Sequence, residues 1–176
     1  MEVLGIVSSP RKKGSTETLV QAILDGASSA GHSTVRIDLN DLELKGCQAC
    51  MRCRTHEACS HKDDLTSVFD RMKKADAVVF SSPIYMGQRS GHFRPMEGRM
   101  FQFTDMHFQP RITPAKKAVI VTSHGDPEPK AFEGMSSELA RTLKLFGFDV
   151  VERLNTSGGN DPRAVNERQD LLDKGR

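Results

Sequence analysis

Short apolar runs alternate with longer amphipathic stretches along this chain, and that alternation sets its fold class. Val3–Ser8 (VLGIVS) reads as a buried strand. Leu19, Val20, Ile23, Leu24 and Ala27 then recur at three-to-four-residue spacing and predict a helix, capped by Ser15 or Thr16 and stopped near Ala30-Gly31. Ser33–Leu39 (STVRIDL) alternates as a second strand. The stripe of Leu65, Val68, Phe69 and Met72 predicts a helix over Asp63–Lys74. Asp76–Ser82, Lys117–Ser123 and Phe148–Leu154 read as the third, fourth and fifth strands. Between the last two, Phe132, Met135, Leu139, Leu143 and Phe146 mark a helix over Lys130–Phe146 that Gly147 ends. A short helix near Ala164–Leu172 closes the chain. Strands alternating with helices predict one α/β domain over residues 1–176, a doubly wound, five-stranded parallel sheet with helices on both faces and right-handed crossovers.

The stretch Tyr85–Pro114 fits neither period. It carries four of the nine Phe residues (Phe93, Phe101, Phe103, Phe108) and four of the eight Met residues (Met86, Met96, Met100, Met106). So apolar an insertion reads as a lid or an oligomer contact, or more plainly as a helical excursion packed on its own domain.

Composition narrows the function classes. A net charge of +2 gives no general electrostatic reason to bind nucleic acid or an anionic membrane. The apolar runs fall far short of the roughly 18–20 residues that span a bilayer. Met1-Glu2 followed by five apolar residues does not make a secretory signal, so a cytoplasmic protein is expected. All four cysteines, Cys47, Cys50, Cys53 and Cys59, fall within 13 residues, a clustering that in a reducing compartment points to metal binding or redox chemistry.

Three constellations carry candidate chemistry. Ser9, Arg11, Gly14, Ser15 and Thr16 lie between the first strand and its helix, where helix N–H groups, hydroxyls and a guanidinium suit a phosphate monoester. The loop matches neither GxxxxGK[ST] nor GxGxxG, which weighs against a nucleoside triphosphate and a Rossmann dinucleotide. Pro83-Ile84-Tyr85-Met86-Gly87 leaves the third strand at the same sheet edge and can lie along a flat aromatic ligand. Ser123-His124-Gly125 leaves the fourth strand there too, with His124 either a ligand contact or an ordinary polar loop residue. Cys47-x2-Cys50-x2-Cys53-x5-Cys59 resembles the single-run spacing that wraps a [4Fe–4S] cluster, while zinc, with His56 or His61 assisting, and metal-free thiols stay open.

Together these segments resemble the NAD(P)H-dependent FMN reductase-like branch of the flavodoxin superfamily, and within it the iron–sulfur flavoproteins. Further matches are Gly46 before the cysteine run, Asp63-Asp64-Leu65 after it, and Ala75-Asp76 leading into the third strand. The stretch Phe93-Arg94-Pro95-Met96-Glu97-Gly98-Arg99 departs from that branch, which usually has Asp where Gly98 stands. The resemblance implies a flavodoxin-like fold, FMN and a [4Fe–4S] cluster. Ser9, Arg11, Ser15 and Thr16 would hold the FMN phosphate, Pro83–Gly87 would line the isoalloxazine, and Cys47, Cys50, Cys53 and Cys59 would ligate iron.

The expected function is an electron-transfer flavoprotein working between a one-electron donor such as ferredoxin and another acceptor, with no catalytic acid or base from the protein. The alternatives are a cluster-free FMN reductase using NAD(P)H to reduce quinones, nitro compounds or flavins, and a zinc- or thiol-bearing binding module. A homodimer or homotetramer is expected from the resemblance and the apolar segment, with neither nucleic acid nor membrane as partner.

Overall fold

The structure, a computed structural model, describes residues 1–161 and 164–175. Five long strands, β1 (Glu2–Val7), β2 (Ser33–Asp38), β3 (Ala77–Tyr85), β5 (Lys116–Ser123) and β6 (Phe148–Thr156), pair in parallel in the order β2-β1-β3-β5-β6. That order is the flavodoxin-like one. A two-residue strand, β4 (Gln88–Arg89), adds an antiparallel hairpin at the end of β3.

Period-two alternation assigns each central strand's side chains to two cores. Leu4 and Ile6 of β1, Val78 and Phe80 of β3, and Ala118 and Ile120 of β5 face one layer. There they meet Leu65, Val68, Phe69 and Met72 of α3 (Leu65–Lys74) and Leu139 and Leu143 of α5 (Glu133–Leu145). Val3, Val7, Val79 and Val121 face the other layer, against Leu19, Val20 and Leu24 of α1 (Ser15–Ser29) and Leu171 of α6 (Gln169–Gly175). Two further α-helices, the single turn α2 (Arg52–Thr55) and α4 (Phe93–Arg99), and short 3-10 turns at Leu39–Asp41, Met100–Phe103 and Ala164–Glu167 complete the described elements. Among the described residues no helix is long and apolar enough to cross a membrane.

Two details depart from the sequence reading, and a third decides between its alternatives. Neither Ser15 nor Thr16 caps α1; the N-cap is Gly14, and no side chain closes that helix end. Strand β3 runs three residues past Ser82 and reverses through Met86-Gly87, both at positive φ (50° and 72°). Positive φ at both central positions of a two-residue loop is the primed-turn geometry that matches strand twist. The apolar stretch after it is built into the domain: Phe93, Met96, Met100 and Phe103 lie in the α3–α5 core, while Met86, Met106 and Phe108 are exposed. A buried ion pair, Arg89 to Glu97 at 2.7 Å, ties the hairpin to α4, and Arg89 reaches Glu138 of α5 at 3.1 Å.

Phe103 stacks edge-on against Phe69 and Phe148 at 5.6 and 6.3 Å. Phe103→Ala is therefore expected to cost about 3–5 kcal/mol of unfolding free energy. Met106→Ala, at an exposed site in the same stretch, should stay within about 0.5 kcal/mol. Equal, small shifts of the urea midpoint for both would show that the stretch does not belong to the core.

Candidate functional site

At the carboxyl edge of the sheet lies a cleft of about 220 Å³. The first strand's loop contributes Ser9, Arg11, Gly14, Ser15 and Thr16; the β3 end contributes Pro83, Ile84, Tyr85 and Met86; the β5 loop contributes Ser123, His124 and Gly125. Gly87 sits one residue outside, in the hairpin turn. Gly159 and Asn160, which the sequence reading passed over, complete the lining. Their signal was the run Ser157-Gly158-Gly159-Asn160, a turn-forming stretch that follows the last parallel strand at the same edge.

The β1–α1 loop turns unpartnered hydrogen-bond donors toward the cleft. With Gly14 as N-cap, the first N–H groups of α1 have no side chain across them, and the positive end of the helix dipole faces the cleft. A Cβ at Gly14 would come within 3.3 Å of the Arg11 carbonyl, so a side chain there would crowd the loop. Ser15 Oγ is buried without a hydrogen-bond partner, as a hydroxyl reserved for a ligand would be. Ser9 Oγ accepts the Arg11 N–H at 3.2 Å, and Asn40 Nδ2 donates to the Ser9 carbonyl, fixing the loop from the β2 side. Arg11 is already engaged: its Nη1 donates to the carbonyls of Gly159 and Asn160 at 3.0 and 3.3 Å. The guanidinium thus ties the first loop to the last one.

Across the cleft the hairpin turn holds Tyr85 and Met86 outward, Met86 being 99 % exposed. A non-glycine residue at positive φ costs of order 1 kcal/mol, strain of the kind that gathers at ligand sites. His124 is buried at the cleft wall, edge-on to Phe132 at 5.1 Å.

The four cysteines line a second, small pocket, together with His61, Gly98, Arg99 and Phe101. Positive φ at Ala49 and Met51 folds the loop back on itself. Cys47 Sγ accepts the Ala49 N–H at 3.4 Å, and the Cys50 thiol hydrogen-bonds Ser60 Oγ at 3.2 Å. That contact, with the backbone around Arg52, lowers the Cys50 thiol below its usual range. Burial, seconded by the charges of Cys59, Cys47 and Cys50, pushes the Cys53 thiol up. Among the described residues no three His, Cys, Asp or Glu side chains stand close enough together to hold a metal ion. The thiols share a pocket without meeting at ligand distance.

Arginines anchor this loop. Arg99 Nη1 donates to both Asp63 oxygens at 2.6 Å and to the Lys45 carbonyl at 3.2 Å, while Asp63 Oδ2 accepts the Lys45 N–H at 2.9 Å. The two ends of the cysteine segment are thereby clasped. Arg111 Nη1 donates to the carbonyls of Cys53 and Gln102 at 2.7 and 2.8 Å, and Gln102 Oε1 accepts the Cys59 N–H at 3.1 Å. Arg54 lies between the Phe101 and Phe108 rings, 4.4 Å from each centroid, and donates to Thr104 Oγ1 at 2.6 Å. Gly98 abuts the loop, since a Cβ there would lie 3.6 Å from Cys47 Cβ, an ordinary contact.

Burial works against the Asp63 carboxylate, but Arg99 and the Lys45 and Leu65 N–H groups outweigh it and hold the acid below its ordinary 3.8. Arg99 and Asp63 side chains are 0 % and 6 % exposed, so Asp63→Asn leaves a buried, unpaired guanidinium and is expected to cost about 3–5 kcal/mol. A depressed folded-state value means the ion pair stabilises fully above the unfolded value near 3.8 and fades as pH falls through it. The gap between wild type and Asp63→Asn should therefore be constant near neutrality and shrink below about pH 4. Denaturant melts across that range test this; a gap that widens on acidification contradicts the assignment.

Comparison with known proteins places this geometry. The NADPH-dependent FMN reductase family matches residues 1–125. An iron–sulfur flavoprotein of Methanocaldococcus jannaschii is 35% identical over 164 residues, 93% of this chain and 79% of that protein. An iron–sulfur flavoprotein of Methanosarcina thermophila is 30% identical over 99 residues, covering 56% of this chain and 52% of that protein, so the match spans only about half the second relative's length. Among solved structures, a NAD(P)H:quinone oxidoreductase from Methanothermobacter marburgensis superposes with a TM-score of 0.70 at 22% identity, covering 100% of this chain and 95% of that one. A flavone reductase gives 0.71 at 21% identity and covers 100% of this chain but 61% of its own. The chain belongs to the NADPH-dependent FMN reductase family of flavoprotein oxidoreductases, in the branch whose curated members are named iron–sulfur flavoproteins.

Proposed function

We propose that this protein binds FMN in the cleft and a [4Fe–4S] cluster at the four cysteines, and passes electrons between a one-electron donor and a second acceptor. The observation that carries the reading is the pairing, in one domain, of an anion-ready helix start facing an aromatic ledge with a four-thiol pocket. The cleft fits a flavin mononucleotide on its own terms: the orphaned Ser15 hydroxyl and the uncapped α1 await a phosphate, and the Tyr85–Met86 turn offers an apolar edge. The cysteine pocket fits a cluster in its donor set, four thiols and no carboxylate, although the sulfurs have to swing inward to share it.

Bound FMN supplies the exchange between two-electron and one-electron chemistry. Ser15 and Thr16 with the α1 N–H groups hold the phosphate, Gly14 lets the backbone approach, and Arg11 keeps the Gly159–Asn160 loop across the cleft. Pro83, Ile84, Tyr85 and Met86 shape the ring side. A cluster at Cys47, Cys50, Cys53 and Cys59 supplies single-electron steps. Arg99, Arg111 and Gln102 hold the loop's backbone in register around those thiols. A nicotinamide donor of the kind the family name specifies, or a ferredoxin-type one, then has to reach the exposed Tyr85–Met86 edge, since no second nucleotide motif occurs in the sequence. Exposed Met86, Met106 and Phe108 provide apolar surface for a homodimer or homotetramer.

Protein purified without air should contain about one FMN per chain, about four iron and four sulfide, and absorption beyond the flavin bands. Flavin without iron, bleached by NADPH, leaves only the reductase activity; zinc or colourless protein rejects the proposal. Ser15→Ala should weaken FMN binding roughly tenfold, as loss of a hydrogen bond to a charged group does, and leave riboflavin binding unchanged. Fluorescence quenching titrations measure both, and equal losses for the two flavins would place Ser15 away from the phosphate.

A further inference from the structure

The Pro129 carbonyl can only accept a hydrogen bond, and Asn155 Nδ2 lies 2.8 Å from it. The amide nitrogen of Asn155 therefore faces that side, and its Oδ1 accepts the Thr122 hydroxyl at 3.0 Å. The second amide hydrogen is left for His124 Nε2, 3.2 Å away. Two N–H groups cannot share that line, so Nε2 is the acceptor and the neutral ring carries its hydrogen on Nδ1. Nδ1 has no partner in the protein and is buried. Buried donors left unmatched are rare and costly, and this one belongs to a residue that lines the cleft.

Its place in the cleft narrows the ligand atom. The His124 ring stands against Phe132, and Phe132 Cε1 comes within 3.9 Å of where a Cβ would lie on Gly87, in the hairpin turn. That is the side of the cleft formed by the β3 hairpin turn and Phe132, and in the sheet β3 lies between β5 and the β1 strand that leads to the α1 start.

We propose that His124 donates its Nδ1–H to a carbonyl or ring-nitrogen acceptor on the pyrimidine edge of the bound flavin, with Asn155 and Thr122 as positioning residues that fix the tautomer. The proposal rests on the flavin-binding reading above. Reduction gathers negative charge on that edge of the ring, so a fixed donor there binds reduced flavin more strongly than oxidised flavin. The donor side chain thereby tunes the redox balance of the site while moving no proton itself.

Long-range ¹H–¹⁵N spectra of ¹⁵N-histidine-labelled protein read the tautomer directly. The expected result is the Nδ1–H form before ligand, and an Nδ1–H signal that shifts and exchanges more slowly when FMN is added. His124→Phe should lose about fivefold to tenfold in affinity for oxidised FMN and more for reduced FMN, lowering the flavin midpoint potential. Asn155→Leu, which keeps His124, should show mixed tautomers and a smaller loss. An Nε2–H tautomer in wild type, or FMN binding and potential unchanged in His124→Phe, overturns the assignment even while wild type binds FMN. Wild-type protein that binds no FMN overturns both this inference and the reading beneath it. Should His124→Phe not fold, the wild-type spectra decide alone.

Discussion

Five long strands in parallel deliver every following loop to one edge of the sheet, and the chemistry of this protein depends on that constraint. Residues as far apart in sequence as Ser9, Tyr85, His124 and Asn160 become neighbours because each leaves the carboxyl end of β1, β3, β5 or β6. The two-sided core pays for this arrangement: alternate strand residues fill two layers, so the sheet tolerates polar loops at its edge. Arg11 then turns adjacency into a closed site by crossing from the first loop to the carbonyls of the last.

The cysteine segment obeys a different logic. Few apolar contacts hold it; Cys47, Cys50 and most of their neighbours are exposed, and its order comes from charge-assisted hydrogen bonds to main-chain carbonyls. Arginine suits that task because one planar guanidinium can serve several carbonyls at once, as Arg99 and Arg111 both do. The cost of burying Arg99 is offset by Asp63, whose carboxylate also accepts the Lys45 N–H. Breaking one member of the clasp therefore leaves more than one group unsatisfied.

Much of this was legible in the sequence where periodicity governs. The apolar runs located all five parallel strands and the stripes located α1, α3 and α5, because each buries one defined face. What escaped has a physical reason in each case. The hairpin at Met86-Gly87 carries only one of the residues that announce a primed turn, and methionine at positive φ is not a pattern propensity can report. Phe93, Met96, Met100 and Phe103 were plainly apolar, but composition does not distinguish a side chain packed at home from one offered to a partner. The roles of Arg54, Arg99 and Arg111 depend on which carbonyls and rings surround them, and charge alone says nothing of that.

The His124 network shows where sequence reading necessarily ends. Thr122 and Asn155 stand 33 residues apart and become hydrogen-bonded partners only through the parallel register of β5 and β6, which sets Thr122 opposite Asn155 and Ser123 opposite Thr156. A bulge between Ala118 and Val119 shifts that register along its length. Without the extra residue, strand alternation would direct Asn155 to the opposite face of the sheet. His124 Nε2 would then lose the N–H that selects its tautomer. An irregularity between Ala118 and Val119 thus acts, through the strand register, on the amide that selects the tautomer of His124.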